Sequence, residues 1–89
     1  MPRVEIARSK FEAGYNIVDL FFDAGLQPTK SEARRLVQQG GAFVSGSNQD
    51  LTAVGDPAAV IGADRLNAEG ELTLRAGKKR YVLVITSTQ

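Results

Sequence analysis

The strongest structural signal in the chain is the stretch Thr29-Lys30-Ser31-Glu32-Ala33-Arg34-Arg35-Leu36-Val37-Gln38-Gln39-Gly40-Gly41. It opens with a capping box, in which the Thr29 hydroxyl accepts from the Glu32 amide and the Glu32 carboxylate reaches back to the Thr29 amide. Gly40 and Gly41 stop the helix, because glycine enters the left-handed backbone region without steric cost. The stretch therefore predicts a helix over residues 30–39.

A shorter helix is predicted just before it. Apolar residues follow helical spacing at Ile17, Leu20, Phe21 and Ala24. Asn16 is a suitable N-cap and Gly25 a suitable stop, which predicts a helix over 17–24. A connection through Gln27-Pro28 joins it to the next helix. The two form a compact helix-turn-helix pair.

The rest of the chain reads as short strands and turns. Strands are predicted at 4–6, 42–45, 60–61, 71–75 and 81–85, the last apolar on both faces and therefore central. Connections are predicted at 7–14, 46–50 and 56–57, with a left-handed Gly77 joining the last two strands and a frayed tail at 87–89. Phe43 and Tyr81 are expected to pack in the core. The fold class is α+β: a helix-turn-helix pair packed on a small, mostly antiparallel sheet.

Length and composition exclude many functions. The chain has 89 residues, enough for a single domain (1–89, with an entry segment at 1–14), and contains no Cys and no His. Thiol chemistry, imidazole bases and thiolate or His-ligated metal sites are thereby excluded, and no metal or catalytic residue is predicted. No apolar run approaches the ~18 residues of a membrane span, and no signal peptide opens the chain. We therefore expect a small soluble binding module or one domain of a larger protein, without a membrane partner.

The net charge of +1 hides a strong segregation of charged residues. Residues 30–41 contain three basic residues and one acidic residue, and residues 75–80 contain four basic residues and no acidic one. The segment 42–74 between them contains one basic residue and five acidic residues. At physiological salt a polyanion responds to charges within ~8 Å. Two short basic blocks can therefore attract it even though the net charge of the chain is small.

The predicted helix at 30–39 separates its polar and apolar residues. At about 100° per residue, Ser31, Arg34, Arg35 and Gln38 fall on one side, with Lys30 and Gln39 flanking them. Ala33, Leu36 and Val37 fall on the opposite side. The polar side is free of carboxylates, and arginine forks, amides and a hydroxyl suit phosphate and sugar oxygens. An ordinary solvated face is the alternative.

The type of anion follows from what surrounds this helix. A DNA-reading helix-turn-helix usually sits in a larger helical domain, whereas this pair leads straight into a sheet. Aromatics available for stacking on bases are few, which favours a structured RNA recognised by shape and backbone. Asp19 and Asp23 are interpreted as surface charges because no nucleophile or metal set accompanies them.

The sequence resembles a known family over residues 2 to about 86. Residues 26–44, with the core Lys-Ser-Glu-Ala-Arg-Arg-Leu and the Gly-Gly turn, resemble the RNA-binding module shared by a small-subunit ribosomal protein, several pseudouridine synthases and a ribosomal heat-shock protein. Within that superfamily, residues 2–6, 16–26 and 74–81 resemble the C-terminal domain of bacterial-type tyrosyl-tRNA synthetase. Residues 47–70 match poorly.

The resemblance implies a non-catalytic domain that binds tRNA(Tyr), chiefly at its long variable arm. The residues it implies at the RNA surface are Lys30, Ser31, Arg34, Arg35, Gln38 and Gln39, with Lys78, Lys79 and Arg80 as second contacts. It implies no cofactor for this domain, since ATP and tyrosine bind a separate catalytic part. A homodimeric parent synthetase, a monomeric isolated domain and a bacterial cytoplasmic location are expected, the mitochondrial matrix being the alternative.

Two other functions remain open on the sequence. One is a stand-alone RNA-binding protein of the ribosomal or heat-shock type, which would share the helix pair and need no synthetase. The other is a protein-interaction domain whose basic blocks are incidental. Some fungal mitochondrial relatives also use this domain on structured intron RNA, which the sequence does not separate from tRNA binding.

Overall fold

A computed structural model of the chain describes residues 2–45 and 50–87. Its elements in chain order are β1 (Arg3–Ala7), α1 (Arg8–Glu12), β2 (Tyr15–Asn16), α2 (Ile17–Asp23), α3 (Lys30–Gln38), β3 (Ala42–Ser45), β4 (Leu51–Ala53), β5 (Val60–Ile61), a 3-10 turn (Ala63–Arg65), β6 (Glu71–Ala76) and β7 (Arg80–Ser87). The predicted helices at 17–24 and 30–39 are α2 and α3. The α+β class is confirmed.

Five of the strands form one mixed sheet in the order β1-β7-β6-β3-β4. Only the β1–β7 pairing is parallel among the pairings of this sheet in residues 2–45 and 50–87, so the sheet is mostly antiparallel as predicted. β7 is paired along both edges, as its apolar sequence indicates. β2 and β5 form a separate antiparallel pair.

Both helices of the pair begin with a side-chain cap. The Asn16 Oδ1 accepts from the amides of Val18 and Asp19 at 3.0 and 3.3 Å. The Thr29 hydroxyl accepts from the Glu32 amide at 3.1 Å. Each bond satisfies an amide that the first helical turn leaves without a backbone partner. These local bonds fix where α2 and α3 start.

Both helices also end in the same way. After α2, Gly25 has φ +79°, its amide donates to the Phe22 carbonyl at 3.0 Å, and the Leu26 amide donates to the Phe21 carbonyl at 3.2 Å. After α3, Gly40 and Gly41 repeat this pattern with Val37 and Leu36. This is the Schellman motif, in which a left-handed residue lets the chain turn back over the last helical turn. The glycine stops predicted from sequence are confirmed.

One face of the sheet and the helices enclose the core. From the sheet it takes Ala42, Val44, Leu72, Leu74, Ala76, Val82 and Val84, all buried. From the helices it takes Phe11, Ile17, Leu20, Phe21, Ala33 and Val37, each 0% exposed. The prediction that Phe43 and Tyr81 pack here is wrong, because their strands turn these two rings to the other face and they lie outside the core cluster.

Two predicted irregular segments are partly regular. Residues 7–14 include β1's last residue and the helix α1, which has no side-chain cap and is held by the buried Phe11. Ser87 does not belong to a frayed end, because it pairs with Ala7 in the parallel β1–β7 ladder. Residues 46–49 of the predicted 46–50 turn lie outside the described residues, as do residues 88–89.

The acidic segment at 51–70 is folded against the rest of the domain. A turn follows Asp56 as predicted, where the Ala59 amide donates to the Asp56 carbonyl at 2.9 Å, and β5 covers the predicted 60–61 strand. Further on, the Gly70 carbonyl accepts from both the amide and the hydroxyl of the buried Thr86, at 3.1 and 2.5 Å. Gly70 itself has φ +73°.

Candidate nucleic-acid interface

The polar side of α3 faces solvent. All six residues predicted for the RNA surface on this helix are exposed: Lys30, Ser31, Arg34, Arg35, Gln38 and the C-cap Gln39. Ala33 and Val37 on the opposite side are fully buried, and Leu36 is partly buried. The helix therefore has the orientation that its residue spacing predicts, with its apolar side fixed in the core.

One of the six exposed polar residues of α3, Lys30, is paired with an acidic residue. The Lys30 Nζ lies 3.3 Å from Asp19 Oδ1 and 5.7 Å from the centre of the Phe22 ring. Both charged side chains are about half exposed or more, 62% and 45%, so the pair contributes at most about 1 kcal/mol and can open for a ligand. Asp23 accepts a hydrogen bond from the Tyr15 hydroxyl. The acids of α2 thus have structural partners.

The two arginines have no such partner. Across residues 2–45 and 50–87, no ion pair joins Arg34 or Arg35 to a carboxylate. Each guanidinium group is planar and offers five N–H donors in a fixed fork, a geometry that suits bidentate contacts with anions. The first amides of α3 add positive potential at the same end of the helix as Lys30.

Arg34 and Arg35 line different grooves beside the polar side of α3. Arg34 lines a groove of about 630 Å³ between the first turn of α3 and the turn at 56–58, with Lys30, Ser31 and Asn16. The Asn16 Nδ2 donates to the Pro57 carbonyl at 2.9 Å and fixes that turn beside the helix. Asp56 also lines this groove. The groove depends on how the turn packs beside α3, which the helix sequence alone does not reveal.

Arg35 lines a second, smaller groove beside α3. This groove, of about 250 Å³, is formed with Gln27, Glu32, Leu36 and Gln39. Gln27 belongs to the connection between α2 and α3, so this connection forms one wall. The exposed face of α3 thus has one arginine in each of two grooves.

The second basic block lies next to the loop that follows α3. Lys78 and Lys79 are exposed in the β6–β7 turn, and Arg80 is the exposed first residue of β7. Gly77 has φ +68° as predicted, and its amide donates to the Gly41 carbonyl at 2.8 Å. A further groove of about 290 Å³ places Lys79 and Arg80 beside residues 24–26. The fold thus brings both blocks to one region of the surface.

Arg75 is the exception within the 75–80 block. Its side chain stacks on the ring of Phe43 across the sheet, with the Arg75 Cζ 4.0 Å from the ring centre. It therefore lies on the sheet face and not at the turn with the two lysines. The alternation of β6 is the reason, because residue 75 points away from the core side that holds Leu74 and Ala76.

Other kinds of site are not formed by the described residues. No group of three or more acidic side chains in residues 2–45 and 50–87 could hold a metal ion. No helix in the described part of the chain is long and apolar enough to cross a membrane. The two grooves beside α3 combine basic and amide side chains with one carboxylate each, Asp56 in the first and Glu32 in the second.

The chain is similar to one protein family and to several known proteins of that family. Residues 1–84 match the family model described as the tyrosine–tRNA ligase SYY-like C-terminal domain. The tyrosine–tRNA ligase of Treponema denticola is 47% identical over 87 residues, which cover 98% of this chain and 20% of that protein. That of Treponema pallidum is 43% identical over 86 residues (97% and 20%), and that of Acetivibrio thermocellus 40% over 81 residues (91% and 18%). The chain spans about a fifth of the length of these curated relatives.

Proposed function

The chain belongs to the family of tyrosine–tRNA ligase C-terminal domains, and from this premise we propose that it holds tRNA(Tyr) for aminoacylation by a separate catalytic part. Its principal contact is the long variable arm of that tRNA. The chain corresponds to about a fifth of each relative, and the catalytic part lies outside it. ATP and tyrosine bind that part, and this domain needs no cofactor. The parent ligase acts as a homodimer in the bacterial cytoplasm, and the isolated domain is a monomer.

The exposed face of α3 is the observation that carries this proposal. Arg34 and Arg35 are exposed, without an acidic partner in the described residues, and each lines a groove. Lys78 and Lys79, the lysines of the β6–β7 turn, extend the positive surface beyond the end of α3. Bidentate guanidinium groups suit phosphates, which form the outer surface of an RNA arm. The domain thus recognises RNA by shape and charge.

The contribution of charge is measurable as a salt dependence. If the two basic blocks neutralise six to eight phosphates, the logarithm of affinity falls with the logarithm of salt concentration at a slope of about −5 to −7. Removing both arginines of α3 removes two phosphate contacts, and the slope should become shallower by about 2. A change of affinity without a change of slope would indicate a role for Arg34 and Arg35 other than phosphate contact.

The decisive experiment compares two double variants on two RNAs. The Arg34→Ala, Arg35→Ala variant is expected to weaken tRNA(Tyr) binding at physiological salt without unfolding the domain. The control removes the same charge from Arg8 and Arg65, which lie on α1 and the 3-10 turn, elements that pack against each other. Affinity is measured by fluorescence anisotropy and folding by circular dichroism. Equal loss in both variants would contradict a specific α3 interface.

The second RNA tests the site on the tRNA. A tRNA(Tyr) with its long variable arm shortened should bind the unaltered domain more weakly, and the α3 variant should bind both RNAs similarly. Amide shifts on titration should map to α3 and the β6–β7 turn. Equal affinity of the unaltered domain for both RNAs would refute the variable-arm contact and would favour a general affinity for structured RNA.

A further inference from the structure

The five-stranded sheet has a second face that the core does not use. Directly paired residues on neighbouring strands share a face, which places Phe43, Arg75, Tyr81 and Leu83 together on this side. All four are partly buried, and none belongs to the core cluster or packs against it. Every helix residue buried in the described chain packs into the core cluster on the other side. This second face is called the open face below.

Three residues of the open face form a row across adjacent strands. Phe43 of β3 pairs with Arg75 of β6, which in turn pairs with Tyr81 of β7. The Arg75 Cζ lies 4.0 Å from the centre of the Phe43 ring and 5.9 Å from that of Tyr81. The guanidinium group is therefore held by two aromatic rings, an arrangement that cation–π attraction stabilises.

The row lacks the polar partner that a structural arginine normally has. The Arg75 Nε is shielded from solvent, and in the described part of the chain it has no hydrogen-bond partner. No carboxylate among those residues forms an ion pair with this side chain. An arginine that served only to stabilise the sheet would be expected to donate to an acceptor of the protein. The open face thus presents a guanidinium group whose donors are unused.

Charge on the open face is polarised along the strands. Arg3 pairs with Leu83 on the same face, and the strands β6 and β7 lead from Arg75 and Tyr81 to the turn that carries the hairpin lysines. The acids Glu5 and Glu71 both pair with Ile85, at the other end of the face. A negatively charged ligand is therefore favoured at the Arg75 end and disfavoured at the Ile85 end.

We propose that the open face is a second RNA contact, which binds an unpaired nucleotide by stacking its base on the Phe43–Arg75–Tyr81 row. The phosphates of that nucleotide lie toward Arg3 and the hairpin turn. Aromatic rings and guanidinium planes are the groups on which single-stranded bases stack, and a sheet face with aromatics on adjacent strands presents them at one level. The proposal rests on the proposed function only in taking RNA as the ligand.

The two contacts would read different features of one RNA. α3 meets the phosphates of a folded arm, whereas the open face needs a base that is free of pairing. Because the β6–β7 turn lies at the edge of both surfaces, an RNA could bind both when an unpaired nucleotide adjoins a stem. A protein partner is the alternative occupant, and the experiment below distinguishes it.

The experiment uses hexa-adenylate as a single-stranded probe and a short RNA stem closed by a stable tetraloop as a paired probe. Arg75→Met keeps the length of the side chain and removes its charge, and Tyr81→Leu keeps an apolar side chain without a ring. Each is expected to weaken hexa-adenylate binding at least about fivefold, since stacking contributes about 1–3 kcal/mol per base. Neither should change the affinity for the stem. Ile85→Val, at the acidic end, is the matched control.

The Arg34→Ala, Arg35→Ala variant should show the reverse pattern, with a loss on the stem and little change on hexa-adenylate. Amide shifts caused by hexa-adenylate should map to β3, β6 and β7. Shifts confined to α3, or unchanged hexa-adenylate affinity in a folded Arg75→Met variant, would overturn the proposal. A stem that binds while hexa-adenylate does not would refute this inference and leave the proposed function standing. If neither RNA binds, both this inference and the proposed function are refuted. If amide shifts on the open face appear only when the catalytic part of the ligase is added, the face binds a protein and the RNA contact is overturned.

Discussion

Replacing Gly70 by alanine tests how the acidic segment is attached to the sheet. Gly70 has φ +73°, a backbone conformation that residues with a Cβ adopt at a cost. An added Cβ would lie 2.8 Å from the Thr86 Oγ1. That hydroxyl is buried and donates to the Gly70 carbonyl at 2.5 Å, so it cannot move away without losing its hydrogen bond. Gly70→Ala therefore combines backbone strain with a damaged hydrogen bond.

The magnitude follows from these two parts. A left-handed backbone costs a non-glycine residue about 1–2 kcal/mol, and a lost buried hydrogen bond costs about 1–3 kcal/mol. The free energy of unfolding should fall by about 2–5 kcal/mol. Gly40 separates the two parts, because it has φ +77° but an added Cβ would meet nothing within 4 Å. Gly40→Ala should cost only the strain, about 1–2 kcal/mol.

Gly55→Ala completes the series as a neutral control. Its backbone is not left-handed, and an added Cβ would enter open space, so the change should lie within about 0.5 kcal/mol or stabilise slightly. The assay is urea unfolding followed by far-ultraviolet circular dichroism, with the slope against urea held common to the three variants. A Gly70→Ala variant no less stable than Gly40→Ala would refute the reasoning that the Thr86 hydroxyl is pinned.

Three further changes test the helix pair and its surroundings. Thr29→Ala removes the cap of α3 and should lower the free energy of unfolding by about 1 kcal/mol, measured by urea unfolding. Thr29→Ser keeps a capping hydroxyl and should leave the free energy of unfolding close to that of the original chain. Val37→Ala leaves a cavity in the core and should cost about 1.5–3 kcal/mol, while the neighbouring exposed Gln38→Ala should cost less than about 0.5 kcal/mol by the same measurement. Burial and the hydrogen bond to Asp23 raise the pKa of the Tyr15 hydroxyl, so above about pH 10 the unfolded chain releases this proton while the folded one keeps it, and stability falls. Tyr15→Phe should lose that part of the decline, seen as a narrowing stability difference between the two proteins as the pH is raised above about 10.

The helix pair could be predicted because its signals are local. The Asn16 and Thr29 caps and the glycine stops act within a few residues of the positions that they fix. α1 was missed because a five-residue helix shows no periodicity and depends on the burial of Phe11, which is a tertiary effect. The edge strand β4 is only three residues long and mostly exposed, which is too short for its residue pattern to indicate a strand.

The site could be predicted only in part, for a related reason. Helical spacing determines that Arg34 and Arg35 lie opposite Val37, and the structure has this arrangement. The contact between Lys30 and Asp19 depends on how α2 packs against α3, which spacing within one helix does not contain. The error over Phe43 and Tyr81 has the same origin: alternation tells which residues share a face, and not which face the helices cover.

The parallel pairing of β1 with β7 has a consequence for how the domain is made. β1 pairs with β7, which is an inner strand of the sheet. Arg3 therefore pairs with Leu83, a residue that lies near the other end of the described chain. Closing so long a segment costs chain entropy before any contact compensates for it. During synthesis the helix pair can form early, but β1 has no partner until β7 has left the ribosomal tunnel. We therefore expect slow sheet closure to limit the folding rate, and removal of residues 83–87 from β7 to leave β1 unpaired.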